Sequence, residues 1–184
     1  MSRIQAINPA EATGKAKDLL TAVQAKLGMT PNLMKTLANA PAALEGYLNL
    51  NAALATGVLD AKFREQLAIA VAQANSCEYC LSAHSAIGKM VGLPKDEIER
   101  SRQSHSADPK REGGLQFAQK IVVQRGEVTD VDLAAVRAAG YNDAEITEIV
   151  ANVALNILTN YFNHVAQTVV DFPRVSTVLS QTAA

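Results

Sequence analysis

The chain has 184 residues, of which 48% are hydrophobic and only 4% are aromatic, with no tryptophan, and its formal net charge is −1. A nearly neutral chain without a basic stripe argues against a nucleic-acid partner. The N-terminal residues contain no apolar h-region and no run of about 18 apolar residues occurs, so we expect no membrane partner and a cytoplasmic location.

Glycine and proline divide the chain into helical segments. No stretch alternates apolar and polar residues as a β-strand would, so the predicted fold class is all-α. We expect one domain over residues 1–184, with 1–57 as a helical extension packed on a 58–184 core. After an extended arm at 1–12, the expected helices are 16–27, a short one begun by Pro31, 42–56 after Pro41, 60–75, 77–91, 95–103, 112–124, one from the Thr129 cap to Ala139, and 143–170 after the Asn142 cap, with a weak helix or tail beyond Pro173.

The most informative stretch is 64–84, which holds both cysteines of the chain, Cys77 and Cys80, and one of its three histidines, His84. On a helix begun at about Cys77 these residues are spaced i, i+3, i+7 and lie within about 60° of each other. We expect both thiols in the first turn, where free N–H groups and the positive end of the helix dipole favour the thiolate. Two thiols one turn apart can form a disulfide, so the pattern predicts redox chemistry with His84 as an acid–base partner.

The preceding helical segment carries a carboxylate, Glu65, among residues that are apolar nearly all round. Such a helix is expected to be buried, and a buried carboxylate is rare without a partner or a task. If the chain reverses near Asn75, the two helices pack as an antiparallel pair. We therefore expect Glu65 to be largely buried, with its carboxylate within reach of Cys80 or His84.

Other interpretations of these residues remain open at this point. Cys77 and Cys80 can be two buried small side chains, or zinc ligands together with His84 and Glu65. A second CxxC or paired histidines, which structural zinc sites usually show, are absent from the sequence, so we assign no metal and no cofactor. A thioredoxin-type motif would follow a β-strand, and no strand is predicted.

Two further residues are candidates for a pocket. Tyr79 can line a pocket, hydrogen-bond Glu65 or simply pack. His164 lies in a polar–aromatic patch, 160–164, of an otherwise apolar helix. A weak internal repeat pairs 60–84 with 143–167 and places Asn160 and Asn163 opposite the two cysteines.

Glu65, the CEYC motif at 77–80 and His84 together resemble the signature of the AhpD-like alkylhydroperoxidases of the carboxymuconolactone decarboxylase superfamily. Pro31-Asn32-Leu33 and Val170-Asp171-Phe172-Pro173 are similar to segments of its peroxidase-related branch. The resemblance implies an AhpD-like helical bundle. The chain departs from the family in one position, because Tyr79 stands where a relay histidine precedes the second cysteine, so the proton relay would be shorter.

The resemblance also implies a function: an antioxidant thiol peroxidase that reduces peroxides through a CxxC dithiol–disulfide cycle. Cys80 would be the peroxidatic thiol, Cys77 the resolving thiol, and Glu65 and His84 the acid–base pair. The implied partners are a peroxide substrate and an external dithiol, thioredoxin-like or lipoamide-type, as reductant. We also expect a homo-oligomer, a hexamer or trimer. The alternatives are a non-catalytic redox-sensing or assembly module and a carboxymuconolactone decarboxylase-type enzyme, against which the cysteines argue.

Overall fold

The computed structural model describes residues 2–179, and within that range it contains nine α-helices and no β-strand. The all-α prediction is therefore confirmed for the described residues. The last residues of the expected C-terminal tail lie outside them. The helices are α1 Gly14–Leu27, α2 Asn32–Leu37, α3 Pro41–Leu54, α4 Ala61–Ala74, α5 Glu78–Met90, α6 Lys95–Arg102, α7 Pro109–Val123, α8 Asp130–Ala138 and α9 Asp143–Ala166.

Two predicted helix ends are wrong by more than two residues. Helix α7 begins at Pro109 rather than 112, because Asp108 caps it by accepting hydrogen bonds from the backbone N–H groups of Lys110 and Arg111. Helix α9 ends at Ala166 rather than near 170, because Gln167 adopts a left-handed conformation with φ of 48°. The segment after Gln167 is thereby free to leave the helix axis.

Helix α4 lies at the centre of the molecule and packs against α5, α6, α7 and α9. Its residues 66–72 are all buried. Leu67 and Val71 pack in one hydrophobic cluster with α7 and α9, whereas Ile69 and Ala72 pack in a second cluster with α1, α2 and the start of α5. An almost uniformly apolar helix is stable here because it has neighbours on every side.

Helices α4 and α5 form an antiparallel pair. The chain reverses through Asn75 and Ser76, and Ser76 has a φ of 53°. Glu65 then faces His84, and a side chain built at Gly88 would lie 3.6 Å from Ile69. The reversal therefore brings the start of α4 beside the end of α5.

Helix α9 carries an uncharged stripe on its exposed side. Val150, Leu158, Tyr161 and Val165 are each 45–62% exposed, and no Asp, Glu, Lys or Arg occurs from 149 to 170. Their spacing of one or two turns places them on one face. Exposed apolar patches of this kind usually mark contacts with another protein.

Among the described residues, no helix is long and apolar enough to cross a membrane.

We predict that this stripe joins two copies of the chain. Leu158→Asp should shift the protein to a smaller assembly, because it places a charge in an apolar contact. Val131→Asp, at an even more exposed apolar residue of α8, is the control and should leave the assembly unchanged. Light scattering at micromolar concentration measures both, and a monomeric unmodified protein contradicts the prediction.

Candidate active site

The two cysteines lie at the start of α5, but not both in its first turn. Cys77 is the N-cap residue and Cys80 is the third helical residue, so the expectation that both lie in the first turn is wrong for Cys77. The helix begins one residue late because Ser76, in the left-handed region, completes the reversal after α4. Both residues are 2% exposed and both thiols are free.

The sulfur of Cys80 is surrounded by hydrogen-bonding groups. Asn163 Nδ2 donates to it across 3.2 Å, and Thr159 Oγ1 lies 3.9 Å away. The Cys77 thiol donates to it as well, and this bond is the largest cause that lowers the pKa of Cys80; the positive charge of His84 and the α9 side chains lower it further, against the opposing effect of burial. Cys80 is therefore the thiol that is held as a thiolate.

The same hydrogen bond acts in the opposite direction on Cys77. Donation to Cys80 raises the pKa of the Cys77 thiol, and burial and the Cys80 charge raise it further. One thiolate and one thiol thus stand side by side. This asymmetry is what a nucleophile and its resolving partner require.

Glu65 and His84 form a hydrogen-bonded pair, with Glu65 Oε2 2.8 Å from His84 Nδ1. Their side chains are 18% and 19% exposed. Burial lowers the pKa of His84, but the Glu65 carboxylate and the Cys80 thiolate raise it more, so the net pKa is raised. The Glu65 carboxylate and the Cys80 thiolate thus favour the imidazolium form of His84.

Tyr47 of α3 is a site residue that the sequence analysis missed. Burial raises the pKa of its phenol, and the negative charges of Cys80 and Glu65 raise it further, so the phenol stays protonated. Its ring packs against the cluster that contains both cysteines. Nothing in its local sequence distinguishes Tyr47 from an ordinary packing residue, because Cys80 lies 33 positions further along the chain.

Tyr79 connects two distant segments rather than contacting Glu65. Its hydroxyl donates to Asp171 Oδ1 at 2.9 Å and accepts the backbone N–H of Leu33 at 3.0 Å. Asp171 Oδ2 also accepts the N–H of Asn32 at 2.7 Å, and the Phe172 ring meets the Tyr79 ring edge-on. Tyr79 therefore ties the start of α2 to the segment after α9, next to Cys80.

We predict that Tyr79→Phe destabilises the fold by about 1–3 kcal/mol, because Asp171 and the Leu33 N–H each lose a buried partner. Denaturant unfolding measures the loss. Tyr161→Phe, at an exposed tyrosine of α9, is the control and should change stability little. Equal stability of the two variants would contradict the assignment of Tyr79 as a structural link.

A cavity of about 350 Å³ opens beside Cys77, between the start of α5 and the end of α9. Tyr79 and His164, the two pocket candidates, both line it, and His164 Nε2 is 2.9 Å from the backbone oxygen of Asn75. The rest of the wall comes from Ser76, Cys77, Glu78, Asn163, Gln167, Thr168, Val169, Val170 and Arg174.

In the range 2–179, no three His, Cys, Asp or Glu side chains are arranged as ligands of one metal ion.

Asn163, which the internal repeat aligned with Cys80, instead contacts the Cys80 sulfur in the structure. The repeat itself stays a prediction, since 143–166 form one continuous helix where 60–84 are broken at Asn75. A usable sequence signal for Asn163 was the row of asparagines at 152, 156, 160 and 163 in an apolar helix.

Comparison with known proteins agrees with this description. The model of the carboxymuconolactone decarboxylase family matches residues 41–120. A peroxidase-related protein with an alkylhydroperoxidase AhpD core from Ralstonia eutropha JMP134 is 26% identical, with a TM-score of 0.83 over 92% of each chain. The debrominase Bmp8 in complex with 2,3,4-tribromopyrrole has a TM-score of 0.79 over 93% of this chain and 92% of its own, at 15% identity, which shows a shared fold alone.

An uncharacterized protein of Haemophilus influenzae is 54% identical over 46 residues, which are 24% of this chain and 41% of that relative. The chain thus spans less than half the length of this curated relative. The fold and these matches define the class as a helical protein with an AhpD-like core. Residues 41–120 are thus similar to the carboxymuconolactone decarboxylase family, and the fold as a whole is similar to that of a peroxidase-related protein with an AhpD core.

Proposed function

We propose that the protein is a thiol-dependent peroxidase that uses Cys80 and Cys77 in a dithiol–disulfide cycle. The observation that carries this proposal is the set of hydrogen bonds on the Cys80 sulfur, which together with His84 lower its pKa while the pKa of Cys77 is raised. A thiolate is the nucleophile toward a peroxide, and a neighbouring thiol resolves the product.

In the first step the Cys80 thiolate attacks the terminal oxygen of a hydroperoxide. An S–O bond forms, the O–O bond breaks, Cys80 becomes a sulfenic acid, and the alkoxide takes a proton from the His84 imidazolium to leave as an alcohol. The Cys77 thiol then attacks the Cys80 sulfur, and the hydroxyl group leaves with the Cys77 proton as water. An external dithiol reduces the disulfide and is itself oxidised.

Glu65 has a supporting part in this scheme. Its carboxylate favours the charged form of His84 and fixes its orientation. After the dithiol is regenerated, the same carboxylate favours the return of a proton to His84. This arrangement is the general acid–base pattern of cysteine nucleophiles.

We also propose a single domain, in which α1–α3 share a hydrophobic cluster with both cysteines.

The test is continuous turnover. Reduced protein, cumene hydroperoxide and dihydrolipoamide in excess should consume peroxide far beyond the amount of protein. Oxidation of the thiols without turnover would instead favour the redox-sensing alternative. The debrominase shares only the fold at 15% identity, so its reaction does not extend to this chain.

A further inference from the structure

Asn163 is a buried side chain of α9 whose amide is turned toward the reacting sulfur. It is 5% exposed, and its Nδ2 donates to Cys80 Sγ across 3.2 Å. The opposite end of the amide, Oδ1, has no hydrogen-bond partner within residues 2–179. Because a buried acceptor without a donor is unfavourable, the orientation of this amide is explained by the bond that its donor makes to the sulfur.

The position of the amide is fixed by the end of α9. The backbone oxygen of Asn163 accepts the N–H groups of both Gln167 and Thr168, which close the last turn of the helix. Asn163 and Cys80 are 83 positions apart in the chain, but they lie on two helices, α9 and α5, that pack against each other. The donor is therefore already in place when Cys80 becomes charged.

The hydrogen bond distinguishes the two redox states of the cysteine pair. The thiolate of Cys80 carries a negative charge and accepts hydrogen bonds strongly, whereas a disulfide sulfur is neutral and accepts them weakly. Asn163 therefore stabilises the reduced pair more than the oxidised pair. A disulfide whose reduced form is stabilised has a higher reduction potential, which means that it takes electrons more readily.

We propose that Asn163 sets the redox balance of the Cys77–Cys80 pair and makes its disulfide easier for an external dithiol to reduce. This inference rests on the proposed dithiol–disulfide cycle and adds the residue that controls its second half. In that half the Cys77–Cys80 S–S bond breaks and the pair takes two electrons, while the external dithiol closes to its own disulfide and gives up two protons. One proton goes to Cys77 and the other to His84, so Cys80 returns as the thiolate that Asn163 binds.

The test is an equilibrium with reduced and oxidised glutathione, in which mass spectrometry after alkylation measures the ratio of dithiol to disulfide. Asn163→Leu keeps nearly the same size and removes the donor. Its equilibrium constant should shift about tenfold toward the disulfide, the effect of one lost hydrogen bond, and this shift lowers the potential by about 30 mV. Asn156→Leu is the matched control, because Asn156 is also buried on α9 and donates to the backbone oxygen of Asn152 instead. It should leave the potential unchanged.

The thiolate gives a second readout that a purely structural role of Asn163 would not move. The pKa of Cys80, measured by the ultraviolet absorbance of the thiolate, should be higher in Asn163→Leu than in the unmodified protein and in Asn156→Leu. If Asn163→Leu does not fold, Asn163→Ala removes the same donor without added apolar bulk and is measured in its place.

Neither measurement uses peroxide, and this separates the inference from the proposed function. Equal potentials of the unmodified protein and Asn163→Leu, or an equal shift in Asn156→Leu, overturn the inference and leave the peroxidase intact. A lower potential in Asn163→Leu alone, in a protein that never consumes peroxide, supports the role of Asn163 and overturns the proposed function instead.

Discussion

Replacement of Cys80 by serine is expected to reduce the rate of peroxide consumption by on the order of 10³-fold or more, as loss of a catalytic nucleophile does in other enzymes. The remaining thiol, Cys77, cannot substitute for it, because burial still raises its pKa once the Cys80 sulfur is gone, and the Asn163 and Thr159 side chains that lower the pKa of Cys80 do not act on Cys77. Stopped-flow mixing with cumene hydroperoxide measures the loss.

The companion variant, Cys77→Ser, separates the roles of the two thiols. It should still react once with peroxide, but the Cys80 sulfenic acid then has no resolving thiol and is oxidised further to sulfinic acid, which mass spectrometry detects. If Cys80→Ser instead leaves a Cys77 that is oxidised to sulfinic acid to the same extent, the roles of the two cysteines are the reverse of those assigned here.

The second large effect is expected for Glu65→Gln, which keeps the shape of the side chain and removes its charge. Glu65 raises the pKa of His84 through both its charge and a 2.8 Å hydrogen bond. Without it the imidazolium gives up its proton more readily, and less of the protein carries the acid that protonates the alkoxide. The reaction of Cys80 with peroxide should slow by about 10²-fold.

Glu148→Gln is the matched control for this variant. Glu148 lies at the corresponding point of α9, where its carboxylate accepts the backbone N–H groups of Val58 and Leu59 rather than a histidine. Its replacement should lower stability and leave the peroxide rate of correctly assembled protein unchanged. An unchanged rate in Glu65→Gln would remove Glu65 from the mechanism and leave it a structural carboxylate.

Local features of the site were predictable from the sequence. Cys80 and His84 lie one turn apart on one helix. Glu65 comes close to His84 because the chain reverses at Asn75 and Ser76, where the sequence indicated a break between two helices. The Thr129 and Asn142 caps were predictable for the same reason, because each satisfies backbone groups only three residues away. The Asp108–Pro109 start of α7 had a recognisable cap as well, and it was missed.

Contacts between distant segments were not predictable in this way. Asn163 and Thr159 approach Cys80 from about 80 positions along the chain, and the hydrogen bond from Tyr79 to Asp171 spans 92 positions. Such contacts depend on how whole helices pack, which a single sequence does not encode in any short pattern. The family resemblance included the segments around Asn32 and Asp171, but only the structure shows that both segments hydrogen-bond to the hydroxyl of Tyr79.

A single turnover tests the central claim most directly. Reduced protein mixed with one equivalent of cumene hydroperoxide should lose both of its thiols and yield one equivalent of cumyl alcohol, and peptide mapping should find a disulfide between Cys77 and Cys80. Peroxide that remains intact while both thiols stay titratable would contradict the account.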